Sequence, residues 1–158
     1  MSKGLIFVVI IGAAAGFMLP TGNESAPAAK VANGAPEAYR ETTLTRAPNG
    51  HFYVHATVNG QLVRFVVDTG ATSVALTEED AERVGIKLDP SNYREIGRGA
   101  SGPVNGQLTR IASIEIEGKR VENIRGAVLQ GSDVSLLGQS YLSRLRSVEM
   151  SGEEMILR

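Results

Sequence analysis

Cysteine is absent from the chain of 158 residues. Its absence excludes disulfides, thiol catalysis and thiolate-bound metals, and it leaves the redox state of the compartment open. Tryptophan is absent as well, and aromatic residues make up 5% of the chain, too few for a surface that stacks bases. Neither sign of charge dominates. The 16 Lys and Arg against 17 Asp and Glu leave a formal net charge of −1, so no basic footprint for nucleic acid exists. Histidine is scarce. His51 and His55 fall on one face of a strand-like segment with no acidic partner of metal-ligand type nearby, and solvated or edge positions are expected for both. Glycine, by contrast, is abundant at 18, as expected of a domain with many tight turns.

The one long uncharged run is Leu5 to Leu19, behind Lys3 and closed by Pro20. It sits at the short limit of a membrane span, for which roughly 17–25 residues are needed. A single transmembrane anchor is the first reading. A cleaved signal peptide is the second, since Ala13-Ala14-Ala15 supplies small residues of the cleavage type. A buried core helix fits worst, because the run has no polar face and Val8 to Ile11 is β-branched throughout. With Lys3 held inside, the rest of the chain lies outside the cytoplasm. The expected location is the inner (plasma) membrane, single-pass, with the folded domain periplasmic in a Gram-negative cell.

Thr21 to Pro48 is rich in Ala, Pro, Gly, Asn, Ser and Glu and lacks periodicity, the composition of a tether. The expected division is residues 1–20 as anchor or signal segment, 21–48 as flexible linker and 49–158 as folded domain, with Leu44 as a candidate start of the ordered part. A tether of roughly 25 residues reaches about 25–30 Å, enough for two anchored domains to meet.

From Asn49 onward the pattern is β. His51 to Val58 and Gln61 to Val67 read as strands joined by Asn59-Gly60, a strong two-residue hairpin turn. Thr77 followed by Glu78-Glu79-Asp80 reads as an N-cap and an acidic first turn, with Gly85 as the helix stop. Asp89 to Gly106 holds four glycines and Pro103 near its end and reads as a hairpin or long loop outside the core. Gln107 to Ile116, Val121 to Leu129 and Val134 to Gly138 resume strand character, with Leu108, Ile111, Ile114 and Ile116 as the apolar set of the first. Gln139 to Leu145 reads as a short helix. Ser147 to Met150 and Glu154 to Leu157 read as a terminal hairpin about Ser151-Gly152.

The stretch that carries chemistry is Asp68-Thr69-Gly70-Ala71-Thr72, directly after Leu62-Val63-Arg64-Phe65-Val66-Val67. It delivers a carboxylate from the end of an apolar strand into a tight turn. Thr69 can bond locally to backbone, and Gly70 lets another backbone come close. Only one such turn occurs, so a pair of acids built from it requires a second copy of the chain.

The order hairpin, Asp-Thr-Gly-Ala turn, glycine-rich stretch, strands, then Leu136-Leu137-Gly138 and a short helix resembles the retropepsin-like (retroviral-type) aspartic proteases over roughly Gly50 to Arg158. It is particularly similar to their bacterial single-domain, membrane-anchored relatives. The resemblance implies a mainly β half-barrel with one or two short helices, completed by homodimerisation. It implies that Asp68 is catalytic, that Thr69, Gly70 and Ala71 support the catalytic loop, and that Leu136, Leu137 and Gly138 form the strand beside it. It places a flap at Gly97 to Gly106, with Ser101, Gly102, Pro103, Val104 and Asn105 about its tip. It also implies that terminal strands pair across the dimer, which puts Glu154 to Leu157 at the interface.

Two carboxylates held roughly 3 Å apart share one proton. The ionised member takes a proton from water, that water attacks the scissile carbonyl, and the protonated member donates to the carbonyl oxygen. Neither metal nor cofactor is called for. The expected activity is hydrolysis of peptide bonds in an extended polypeptide. The alternative is a tethered module of the same fold that binds peptides or dimerises without cutting.

Overall fold

The computed structural model describes residues 9–10, 40–99 and 102–158. Its strands are β1 (Val9–Ile10), β2 (Thr42–Thr45), β3 (Tyr53–Val58), β4 (Gln61–Val67), β5 (Val74–Leu76), β6 (Arg94–Gly99), β7 (Gly102–Ile116), β8 (Lys119–Leu129), β9 (Ser135–Leu137), β10 (Val148–Ser151) and β11 (Glu154–Leu157). Two short helices, α1 (Glu78–Arg83) and α2 (Gln139–Leu142), complete it. The architecture is mainly β, as the sequence pattern predicts.

Six strands close on themselves. The order β7-β3-β4-β9-β5-β8 is continued by pairing of β8 back onto β7, so this part of the sheet has no open edge. Two of the pairings are parallel, β4 with β9 and β5 with β8. The β3–β4 hairpin turns at Asn59-Gly60, both at positive φ (48° and 87°), the geometry that Asn-Gly favours. Val63, Phe65 and Val67 of β4 point into the main core with Ile111, Ile114, Leu137, Tyr141 and Leu157. Tyr141 is buried and donates its hydroxyl to the Lys119 carbonyl at 2.7 Å.

Several local expectations hold. Thr77 caps α1, its side chain accepting the Asp80 N–H at 3.0 Å, and Ala81 and Val84 are buried beneath it. The terminal hairpin pairs Val148 with Leu157 and Ser151 with Glu154.

Others are corrected. Of the two readings of the glycine-rich stretch, the hairpin holds and the long loop does not. After a 3₁₀ turn at Pro90–Asn92, β6 and the start of β7 pair as a hairpin with a register shift between Glu95 and Gly97, Arg94 opposite Gly106 and Gly99 opposite Gly102. β7 therefore begins five residues before the predicted Gln107. Gly106 belongs to the core, since a Cβ there would stand 2.4 Å from the Val128 carbonyl oxygen. Leu108 is 55% exposed, because the buried face of β7 changes sides between Ile111 and Ile114. α2 stops at Leu142, short of Leu145.

The boundary also moves. β2 lies within the segment assigned to the linker, pairs with β11, and buries Thr42 and Leu44. With β2 in place, β11 is the centre of a three-stranded sheet, β10-β11-β2, and both of its edges are occupied within one chain. Glu154–Leu157 thus has no edge to offer a second copy, contrary to what the resemblance implies. Of the apolar run Leu5 to Leu19, only Val9–Ile10 is described. These two residues pair antiparallel with Gly99 and Arg98. The rest of the expected anchor and most of the linker lie outside the described residues. Among the described residues, no helix is long and apolar enough to cross a membrane.

Candidate active site

Asp68 follows the last residue of β4, a strand whose inward side chains fix its register. Its N–H donates to the Leu137 carbonyl at 3.1 Å, so the turn starts from the parallel β4–β9 pair. Its side chain then turns back on the loop. Oδ1 accepts the N–H groups of Gly70 at 2.9 Å and Ala71 at 3.2 Å. Two backbone donors on one oxygen hold the half-buried carboxylate in a single orientation.

The loop from Asp68 to Ser73 joins β4 to β5, and β9 lies between those two strands. The chain must therefore pass over the end of β9, where Gly138 stands. A Cβ at Gly138 would lie 2.3 Å from the Ser73 carbonyl oxygen and 2.8 Å from that of Ala71. Only glycine fits between these backbones. The residue after it fastens the crossing. Gln139 donates its N–H to the Ala71 carbonyl at 2.8 Å and its Nε2 to the Thr69 carbonyl, also at 2.8 Å. Ser140 Oγ accepts the Val74 N–H at 2.9 Å and donates to the Arg125 carbonyl at 2.7 Å.

A second apolar cluster flanks this loop. Val66, Ala75, Ala127, Leu129 and Leu136 form it, and Ile96 of β6 and Val104 of β7 pack against it. Strand alternation puts Val66 on the face opposite Val67, and Asp68 follows on the side of Val66. The β6–β7 hairpin thus leans over an apolar floor that begins beside the carboxylate.

Residues 54–144 match the family model described as "gag-polyprotein putative aspartyl protease". A crystal structure of a retropepsin-like aspartic protease from Rickettsia conorii superposes with a TM-score of 0.62 at 34% identity, covering 75% of this chain and 89% of that one. The chain belongs to the retropepsin-like aspartic proteases. Two curated relatives of this retropepsin-like chain are uncharacterised proteins. One, from Rickettsia prowazekii (strain Madrid E), is 37% identical over 118 residues, 74% of this chain and 51% of its own. The other, encoded in the cobV 5′ region of a Sinorhizobium species, is 40% identical over 129 residues, 77% of this chain and 53% of its own. The chain spans about half the length of these relatives.

The structure brings Asp68, Gly70, Ala71, Leu137 and Gly138 together, with Thr69 tied in through its carbonyl. Leu136 lies on the apolar floor and not in the main core. Gly102, Pro103, Val104 and Asn105 pair with β6 in the hairpin, whereas Ser101 lies outside the described residues. Sequence reasoning missed Gln139, whose signal was only its place directly after Leu-Leu-Gly. It missed the floor residue Ala75 as well. A cavity of about 680 Å³ between the outer face of β3–β4 and α1 does not include Asp68. Its polar groups serve the fold: Asp80 accepts from Ser135 Oγ at 2.5 Å and pairs with Arg83, and Arg64 stacks over Tyr53 at 3.9 Å. Among the described residues, no group of three or more His, Asp or Glu is arranged to hold a metal ion.

Proposed function

We propose that this chain is an aspartic endopeptidase whose site is completed by a second copy, two Asp68 carboxylates facing each other across a two-fold axis. The observation that carries the reading is the held carboxylate. Oδ1 is fixed by the Gly70 and Ala71 N–H groups at the mouth of an apolar floor. Each chain supplies one such turn. In the paired site one carboxylate takes a proton from water while the other, protonated, donates to the scissile carbonyl oxygen. The floor from Val66 to Leu136 and the β6–β7 hairpin suit an extended polypeptide with apolar side chains around the cleaved bond.

The contact between copies runs, in this reading, through β10. The row Leu44–Met155–Met150 crosses the three-stranded sheet in register. Leu44 and Met155 are buried, but Met150 is 61% exposed at the edge. An apolar row that continues into the open at a strand edge unpaired among the described residues is a template for another strand. Antiparallel pairing of two β10 strands would cover it.

The apolar run Leu5–Leu19 would tether the domain outside the cytoplasm once Val9–Ile10 leaves its pairing with β6, its hydropathy being the support. A reporter fused after Arg158 that reads cytoplasmic sinks this placement.

The test of the activity is purified Asp68→Asn protein. Cleavage of a peptide library should disappear while the fold and the oligomeric state persist. Substantial residual cleavage removes Asp68 from the mechanism.

A further inference from the structure

Beside the catalytic turn lies a second cavity of about 530 Å³ with an unusual wall. Arg110, Arg125 and Arg144 line it together with Asn123, and Thr72 and Gln139 connect it to the Asp68 loop. Among the described residues, no carboxylate lines it. Arg110 and Arg125 stand directly opposite each other on β7 and β8, a like-charge cross-strand pair that works against the sheet. Arg110 is held by Asn123, whose Oδ1 accepts from Nη1 at 2.9 Å. Asn123 itself sits at φ 53°, a left-handed conformation uncommon outside glycine. Elsewhere on the described surface five arginines pair with acids, among them Arg120 with Glu115 and Glu122 and Arg158 with Glu41 and Glu149, while Arg64 stacks over Tyr53. The three arginines of the cavity make no ion pair among the described residues.

We propose that this cavity takes an acidic side chain of the polypeptide cleaved at Asp68, an inference that rests on the reading of that turn as the cleaving centre. A carboxylate matches the guanidinium fork in geometry and charge. Thr72 is four residues from Asp68 in the chain, so the two lie within about 14 Å. An extended peptide covers that distance in about four residues. The acidic residue therefore falls within about four positions of the cut bond. It acts as a specificity determinant separate from the apolar floor.

The test uses the full chain carrying Asp68→Asn, in detergent micelles, with labelled peptides built on a Leu-Phe centre. A glutamate is moved through the outer positions, each peptide having a glutamine counterpart, and binding is read by fluorescence anisotropy. At one position glutamate should bind at least about fivefold tighter than glutamine. The preference should shrink with added salt. It should vanish in Arg125→Gln and Arg144→Gln backgrounds and survive in Arg120→Gln. Equal binding of the two series at every position overturns the inference, as does a preference that persists without Arg125 and Arg144, or no binding at all. A shift of the dimer equilibrium in the arginine variants with no charge preference also overturns it, assigning the cavity to the contact between copies. Cleavage by the otherwise unaltered chain is measured in parallel. Glutamate preference without cleavage would sustain this site and sink the reading of Asp68, and cleavage without preference would do the reverse.

Discussion

Gly138 lies so close to Ser73 that a Cβ on the glycine would stand 2.3 Å from the serine carbonyl oxygen. This contact is the point where the Asp68 turn crosses the end of β9. Gly138→Ala should force the two backbones apart and cost about 3 kcal/mol or more of stability. Chemical denaturation checks this; a loss below about 1 kcal/mol would mean that the crossing is looser than described.

Gly70 behaves differently. A Cβ there meets the Asp68 Oδ1 at 3.3 Å, a tight contact with the carboxylate and not with a distant backbone. Gly70→Ala should leave stability within about 1 kcal/mol of the parent while cutting kcat/KM at least about tenfold, because the acid is displaced. Unchanged kcat/KM in a folded variant would show that the carboxylate tolerates the shift.

Local features of this fold could be read from the sequence, and long-range ones could not. The Asn59-Gly60 turn, the Thr77 cap and the Asp68 turn each depend on neighbouring residues, and the structure has all three. β2 could not be read, because Thr-Thr-Leu-Thr becomes a strand only by pairing with β11, more than a hundred residues on. The exposure of Leu108 and the meeting of Arg110 with Arg125 depend on the register and twist of β7 against β8. Glycine density at Gly97 to Gly106 leaves hairpin and long loop open by composition, and only the pairing of β6 with β7 and the close approach at Gly106 decide for the hairpin.

The edge of β10 yields a third prediction. Met150→Lys places a charge where the apolar row ends, a device that blocks edge pairing. The dissociation constant of the proposed dimer should rise at least about tenfold with the monomer fold intact. Activity lost at low concentration should return on concentrating the protein. Sedimentation showing an unaltered dimer would move the contact elsewhere, the outer edge of β2 being next.

Tyr93 supplies a pH signature. Its buried hydroxyl makes no hydrogen bond of normal geometry, and its pKa is pushed up to about 12, chiefly by burial and then by a weak hydrogen bond to the Glu78 carboxylate and the charges of Glu78 and Glu82. A phenol whose folded pKa exceeds the unfolded value of 10.0 gives stability that is full below pH 10 and is lost as the pH rises toward about 12. Tyr93→Phe should flatten that decline and leave stability at neutral pH unchanged or higher by up to about 1 kcal/mol. A neutral-pH loss of more than about 1 kcal/mol would mean that the bond to Glu78 is strong and not weak.

The central claim, that one site is made by two copies of Asp68, is tested most directly by subunit mixing. Wild-type and Asp68→Asn chains are mixed at constant total concentration, allowed to exchange, and assayed on one peptide. If each site needs two aspartates, activity follows the square of the wild-type fraction, and an equal mixture retains about a quarter of full activity. Activity linear in that fraction, with about half retained in the equal mixture, would mean that each chain cuts alone and would contradict the account.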